Sequence, residues 1–126
     1  MYIHTQNTPR SALELVKSWY ATAQSDLLDP QIDCHAIGYG TKQSRYVGRD
    51  AMLNEFFGDI GARFSEWKVH AERLIDGGKS ITAMGHYDAK RDGSAAMVLP
   101  FVHVWTVEND VITAVTACTD VNAVAA

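Results

Sequence analysis

The sequence predicts an α+β domain: a cone made by a strongly curved antiparallel sheet wrapped around helices that come first in the chain. Three observations predict it. Apolar residues recur at helical spacing from Ala12 to Ala23 and again from Met52 to Ile60. Four long β-rich runs then follow one another, divided by short breaks of the Gly-Gly, Asp-Gly and Asn-Asp kind. Helices followed by a strand meander gather on one face of a sheet, and runs of about twelve residues exceed the usual strand length. Long strands coil, so the sheet should curl around the helices and leave a pocket at its open end.

The elements follow in order. Residues 1–8 are polar and are expected to be loose. Thr8-Pro9 and the Ser11-x-x-Glu14 capping box start a helix. Ala12, Leu15, Val16, Trp19, Tyr20 and Ala23 share one face of it, and it should end near Gln24–Asp26. A short helical segment from Leu27 to Asp33 is expected next, then a strand from Cys34 to Tyr39 closed by Gly40. Val47-Gly48-Arg49-Asp50 introduces a second helix, with Met52, Leu53, Phe56, Phe57 and Ile60 on one side and Gly61 as its stop. Strands are predicted over Phe64–Asp76, Lys79–Lys90, Ser94–Val107 and Val111–Asn122.

The totals narrow the function. The chain has 126 residues, 47% of them hydrophobic and 21% charged, which is the composition of one ordinary globular domain. A formal charge of −4 with scattered lysines and arginines gives no electrostatic reason to bind nucleic acid or an anionic membrane. No signal peptide or membrane-spanning run is visible, so a cytoplasmic location is expected. Cys34 and Cys118 lack CxxC spacing and read as packed free thiols. GxGxxG, Gly-x-Ser-x-Gly and clustered His/Cys patterns are all missing, so neither cofactor nor metal is expected.

Three segments carry a family likeness: LELVKSWYATAQSDL, YVGRDAMLNEFF and LPFVHVWTVENDVITAVTACTD. With them the chain resembles the NTF2-like superfamily, in particular its SnoaL-like polyketide-cyclase and ketosteroid-isomerase branches, from about Ser11 to Val124. The resemblance implies the cystatin-like α+β barrel, sheet-to-sheet homodimers and a small apolar substrate. It is specific for fold and weak for reaction. Ketosteroid isomerases place a base aspartate where this chain has Tyr39 and an acid aspartate where it has Val102, so ordinary ketosteroid isomerisation is not expected. The aspartate–arginine–aspartate set of limonene-epoxide hydrolases is not matched, whereas the SnoaL-type aspartate near the end of the last strand is matched by Asp120.

The candidate chemistry centres on Asp120, which alternation groups with Ala114, Thr116 and Cys118 on one sheet face. His35 and Tyr39 alternate together with Ile37, and the resemblance turns that face inward. Tyr20 offers a hydroxyl from the first helix. Proton transfer would fall to Asp120 or His35, with Tyr20 and Tyr39 as hydrogen-bond donors. Trp19, Phe56, Tyr87, Val102, Thr116 and Cys118 would wall the pocket. Each of these also has an ordinary reading as core, wall or surface.

His103 depends on the last hairpin. A three-residue loop, Glu108–Asp110, sets it opposite Val115 and away from Asp120, whereas a two-residue loop sets it opposite Thr116 on the same face. The resemblance favours the first, with Val102 inward and His103 outward. Leu99, Phe101, His103 and Trp105 would then form an apolar outer strip for a homodimer. His70, alternating with Glu66, Lys68 and Glu72, belongs outside. Of the neighbours His86 and Tyr87, the resemblance turns Tyr87 inward. An enzyme acting on a small apolar molecule, a binding module without catalysis, and an assembly subunit all fit this sequence.

Overall fold

The structure, a computed structural model, describes residues 11–122. The expectation for residues 1–8 lies outside them. Helix α1, Ala12–Thr22, begins at the capping box, with Ser11 Oγ accepting from Glu14 N–H and Glu14 Oε1 accepting from Ser11 N–H. It ends at Ala23, whose φ of 53° is left-handed. Leu15, Val16 and Trp19 are buried, each contributing roughly 1.5–3 kcal/mol relative to exposure.

The expected helix over Leu27–Asp33 is instead strand. A single 3₁₀ turn at Ser25–Leu27 leads into β1, Leu28–Ile37. Leu28, Ile32, Cys34 and Ala36 are buried along it, and a register irregularity between Leu28 and Asp33 absorbs Pro30, which has no N–H to give a ladder. A short β2, Arg45–Val47, was not foreseen. The second helical segment opens with a π-helical turn, Ala51–Phe56, and continues as α2, Phe57–Arg63. It runs past Gly61, which does not adopt the left-handed φ that would end it. Then come β3 (Glu66–Asp76), β4 (Ser80–Lys90), β5 (Met97–Glu108) and β6 (Val111–Cys118).

The six strands form one open sheet in the order β2-β1-β6-β5-β4-β3. It is mixed rather than wholly antiparallel, because β1 runs parallel to β6, with Cys34 opposite Val115 and His35 opposite Thr116. The other pairings are antiparallel. Helix α1 lies across β3 to β6 on the inner face, and this two-helix, curved-sheet arrangement is the expected cone.

The last hairpin follows neither expected register. Its loop has two residues, Asn109 and Asp110, both left-handed, as a tight hairpin turn requires. A bulge at Thr113 then shifts the ladder by one residue, so that His103 pairs with Ala117. His103 does lie on the face opposite to Thr116 and Cys118, but that face is the inside of the cone. Leu99, Phe101, His103, Trp105 and Val107 are buried, while Val98, Pro100, Val102 and Val104 are exposed. The anticipated outer strip is therefore the inner one.

Candidate functional site

Between α1, α2 and the inner sheet face lies a cavity of about 400 Å3. Trp19, Phe56, Trp67 and Trp105 form part of its aromatic wall, and Phe57 and Val69, which also line it, are partly exposed. The lining residues include no aspartate, glutamate, lysine or arginine. Its polarity comes from three tyrosines and one histidine.

These four are joined in a chain. Tyr20 Oη lies 2.6 Å from His103 Nδ1, His103 Nε2 lies 2.6 Å from Tyr87 Oη, and Tyr87 Oη lies 2.5 Å from Tyr39 Oη. Trp105 Nε1–H donates to Tyr20 Oη at 2.8 Å. Ring contacts hold the parts: His103 stacks on Phe101 at 3.9 Å between centroids, and Tyr20 meets Trp105 edge-on at 5.7 Å.

Burial sets the protonation. It pushes the His103 pKa down from 6.5 to about 3, so the imidazole is neutral near pH 7. Burial also raises the Tyr20, Tyr39 and Tyr87 phenols well above their ordinary range, and the Trp105 hydrogen bond only partly offsets this at Tyr20. Three bonds link the four groups, and the neutral groups carry four mobile protons. In every tautomer, therefore, one tyrosine hydroxyl proton is left over from the chain.

Local structure places each partner. After β1 ends at Ile37, Gly38 takes φ +83° and breaks the alternation, so Tyr39 turns inward although His35 and Ile37 point out. Arg63 then fastens that loop, donating from its guanidinium to the Tyr39 carbonyl at 2.7 Å while pairing with Asp59. At the start of the second helical segment, Arg49 donates to the Leu28 carbonyl and ties the helix to β1.

Of the expected site residues, Tyr20, Tyr39, Trp19, Phe56 and Tyr87 line the cavity. Asp120 does not. It lies beyond β6, exposed, and accepts from Asn122 N–H, while its neighbour Val121 takes the buried place. Thr116 and Cys118 share the outer parity of β6, and Val102 that of β5. His35 is on the outer face beside Asp33, which also holds Arg45. His103 is the residue that sequence reasoning turned the wrong way. A signal was present, since it shares parity with Leu99, Phe101 and Trp105, the bulkier of the two apolar sets on its strand, and bulk belongs inside.

The comparisons agree with this architecture. An NTF2-like protein from Burkholderia thailandensis shares 20% identity over 92% of this chain and 95% of its own, with a TM-score of 0.82. TerC, co-crystallised with polyporic acid, shares 17% over 90% and 95%, TM-score 0.78. A protein of ketosteroid-isomerase-like fold from Catenulispora acidiphila, in complex with trimethylamine, shares 15% over 88% of each chain, TM-score 0.74. At these identities the likeness is one of fold. No curated protein matches the sequence. The sequence model of one family does match, over residues 19–115, and the chain belongs to the SnoaL-like domain family.

Proposed function

We propose that the protein binds a small, largely apolar molecule carrying a carbonyl or enol oxygen, and moves a proton between two of its atoms without a cofactor. The observation that carries this reading is the unbroken Tyr20–His103–Tyr87–Tyr39 chain, with both end tyrosines among the residues that line the cavity. Take the tautomer in which Tyr20 donates to Nδ1, Nε2–H donates to Tyr87, and Tyr87 donates to Tyr39. The Tyr39 proton then faces the ligand.

Transfer of that proton to a ligand oxygen, with one proton step at each bond behind it, leaves Tyr20 to accept a proton from a ligand carbon. The ketone becomes its enol, His103 ends protonated on Nδ1 instead of Nε2, and every group stays neutral. Neutrality matters because burial penalises each charged form along the chain, so a concerted shift is favoured over a phenolate or imidazolium intermediate.

A second reading, binding without turnover, draws support from the absence of an ionised group in the lining. That TerC was co-crystallised with polyporic acid lends weight to an organic occupant under either reading. The test uses 2-naphthol for binding, read by quenching of Trp19, Trp67 and Trp105, and 2-tetralone for deuterium exchange beside the carbonyl in D2O, read by NMR. The wild type should bind and exchange, and His103→Phe should bind but exchange about a hundredfold more slowly or less. Binding with no exchange above buffer would leave only the second reading, and no binding of either compound would remove both. We also propose that the outer row Val98, Pro100, Val102 and Val104 is the homodimer face; a monomer by light scattering at micromolar concentration would remove that.

A further inference from the structure

Strand pairing on the outer face assembles a second cluster that no local spacing announces. His70 on β3 is directly opposite His86 on β4, and Asp88 follows on the same face of β4. The two imidazoles lie nearly parallel, 4.7 Å between centroids. His70 Nε2 is 2.8 Å from Asp88 Oδ2, and His86 Nε2 is 3.6 Å from Asp88 Oδ1. One ligand atom from each of the three lies within 4.8 Å of the other two.

We infer that His70, His86 and Asp88 form a site for a divalent cation of the Zn2+ type, with Glu72 orienting His86 from behind. Two nitrogens and one carboxylate oxygen suit zinc, with water completing a tetrahedron. Ligand atoms about 2.0–2.1 Å from a tetrahedral ion lie about 3.3 Å from one another, so the 2.8 Å pair of His70 and Asp88 must open while the wider spacings, up to 4.8 Å, close. Partly exposed side chains on opposed strand positions do this by small χ rotations.

The position of Glu72 is a separate observation. Its Oε1 lies 2.9 Å from His86 Nδ1, so it accepts Nδ1–H and leaves the Nε2 lone pair facing Asp88. A carboxylate holding the far nitrogen of an imidazole is the usual support for a histidine ligand. Glu72 reaches that place because it is the extra residue of a bulge between Ala71 and Arg73. A bound ion would clip the edge strand β3 to β4 at the point where their ladder is interrupted.

The test is calorimetric titration of Zn2+ into the metal-stripped full chain, with Co2+ as a spectroscopic probe. One equivalent should bind the wild type with micromolar affinity, and Co2+ should show the intense visible absorption of a tetrahedral site. His70→Ala, His86→Ala and the near-isosteric Asp88→Asn should each lose at least about tenfold in affinity, and Glu72→Gln roughly tenfold with the stoichiometry kept. His35→Ala should bind as the wild type does. Zn2+ should raise the melting temperature of the wild type and leave that of His86→Ala unchanged. No heat at millimolar Zn2+, or equal affinity in all the variants, would overturn the site.

Discussion

Tyr20 Oη and His103 Nδ1 meet at 2.6 Å, and this contact joins the first helix to the fifth strand inside the cone. Among the described residues the imidazole makes one other hydrogen bond, with Tyr87. Replacing His103 by Phe keeps an aromatic ring in place but removes a partner from two phenols at once. Destabilisation of about 1–3 kcal/mol is expected, read as a lower urea midpoint with an unchanged slope. A variant as stable as the wild type would mean that both hydroxyls find other partners.

The same residue predicts a pH dependence. His103 is held neutral down to about pH 3 in the folded chain, whereas the unfolded chain takes up that proton near 6.5. Between those values the unfolded state binds more protons, so stability rises with pH. Its contribution is fully present above 6.5 and is lost progressively as pH falls toward 3. The stability difference between wild type and His103→Phe should therefore narrow on acidification through this window. A constant difference from pH 7 to pH 4 would contradict the buried neutral imidazole.

Two glycines with similar backbone angles should respond differently to alanine. At Gly38, φ +83°, a new Cβ would lie 1.7 Å from the Thr119 carbonyl oxygen, whereas at Gly78, φ +86°, it would meet nothing within 4 Å. Gly78→Ala bears only the left-handed penalty of about 1–2 kcal/mol. Gly38→Ala must also push apart the β1 and β6 ends, and should cost about 3 kcal/mol or more. Because Gly38 turns Tyr39 inward, the variant should also weaken 2-naphthol binding in whatever fraction folds.

Asp120→Asn should leave both 2-naphthol binding and 2-tetralone exchange as in the wild type. The carboxylate stands outside the cavity and accepts a backbone N–H that an amide oxygen can equally accept. A large loss of exchange would place that side chain back in the proton path.

The helix start at Ser11, the long strands and the turn at Asn109 were legible because capping, alternation and turn chemistry are local. The inner wall was legible only where one parity was clearly bulkier or where a helix face was apolar, as at Trp19, Tyr20 and Phe56. β5 is apolar on both faces, so alternation alone could not say which set points in, and the resemblance chose wrongly. The bulge at Thr113 and the reversal at Gly38 each break the period of two: the first reset the pairing of His103, and the second moved Tyr39 inside while His35 stayed out. β1 was misread near Pro30 because its partner, β6, lies at the far end of the chain. The His70–His86–Asp88 cluster exists only once β3 and β4 are in register, and no spacing within one strand encodes it.

That parallel pairing of β1 with β6 also bears on how the protein is made. The second strand of the sheet order leaves the ribosome well before its neighbour, with β2 to β5 made in between. Until then, β1 has only the short β2 beside it, and the β3–β5 meander must wait with an open flank. Contacts between such distant segments fold slowly and leave sticky strand borders exposed meanwhile. A nascent chain halted before Val111 should thus depend on chaperones, and the emergence of β6 should be the event that lets the sheet join.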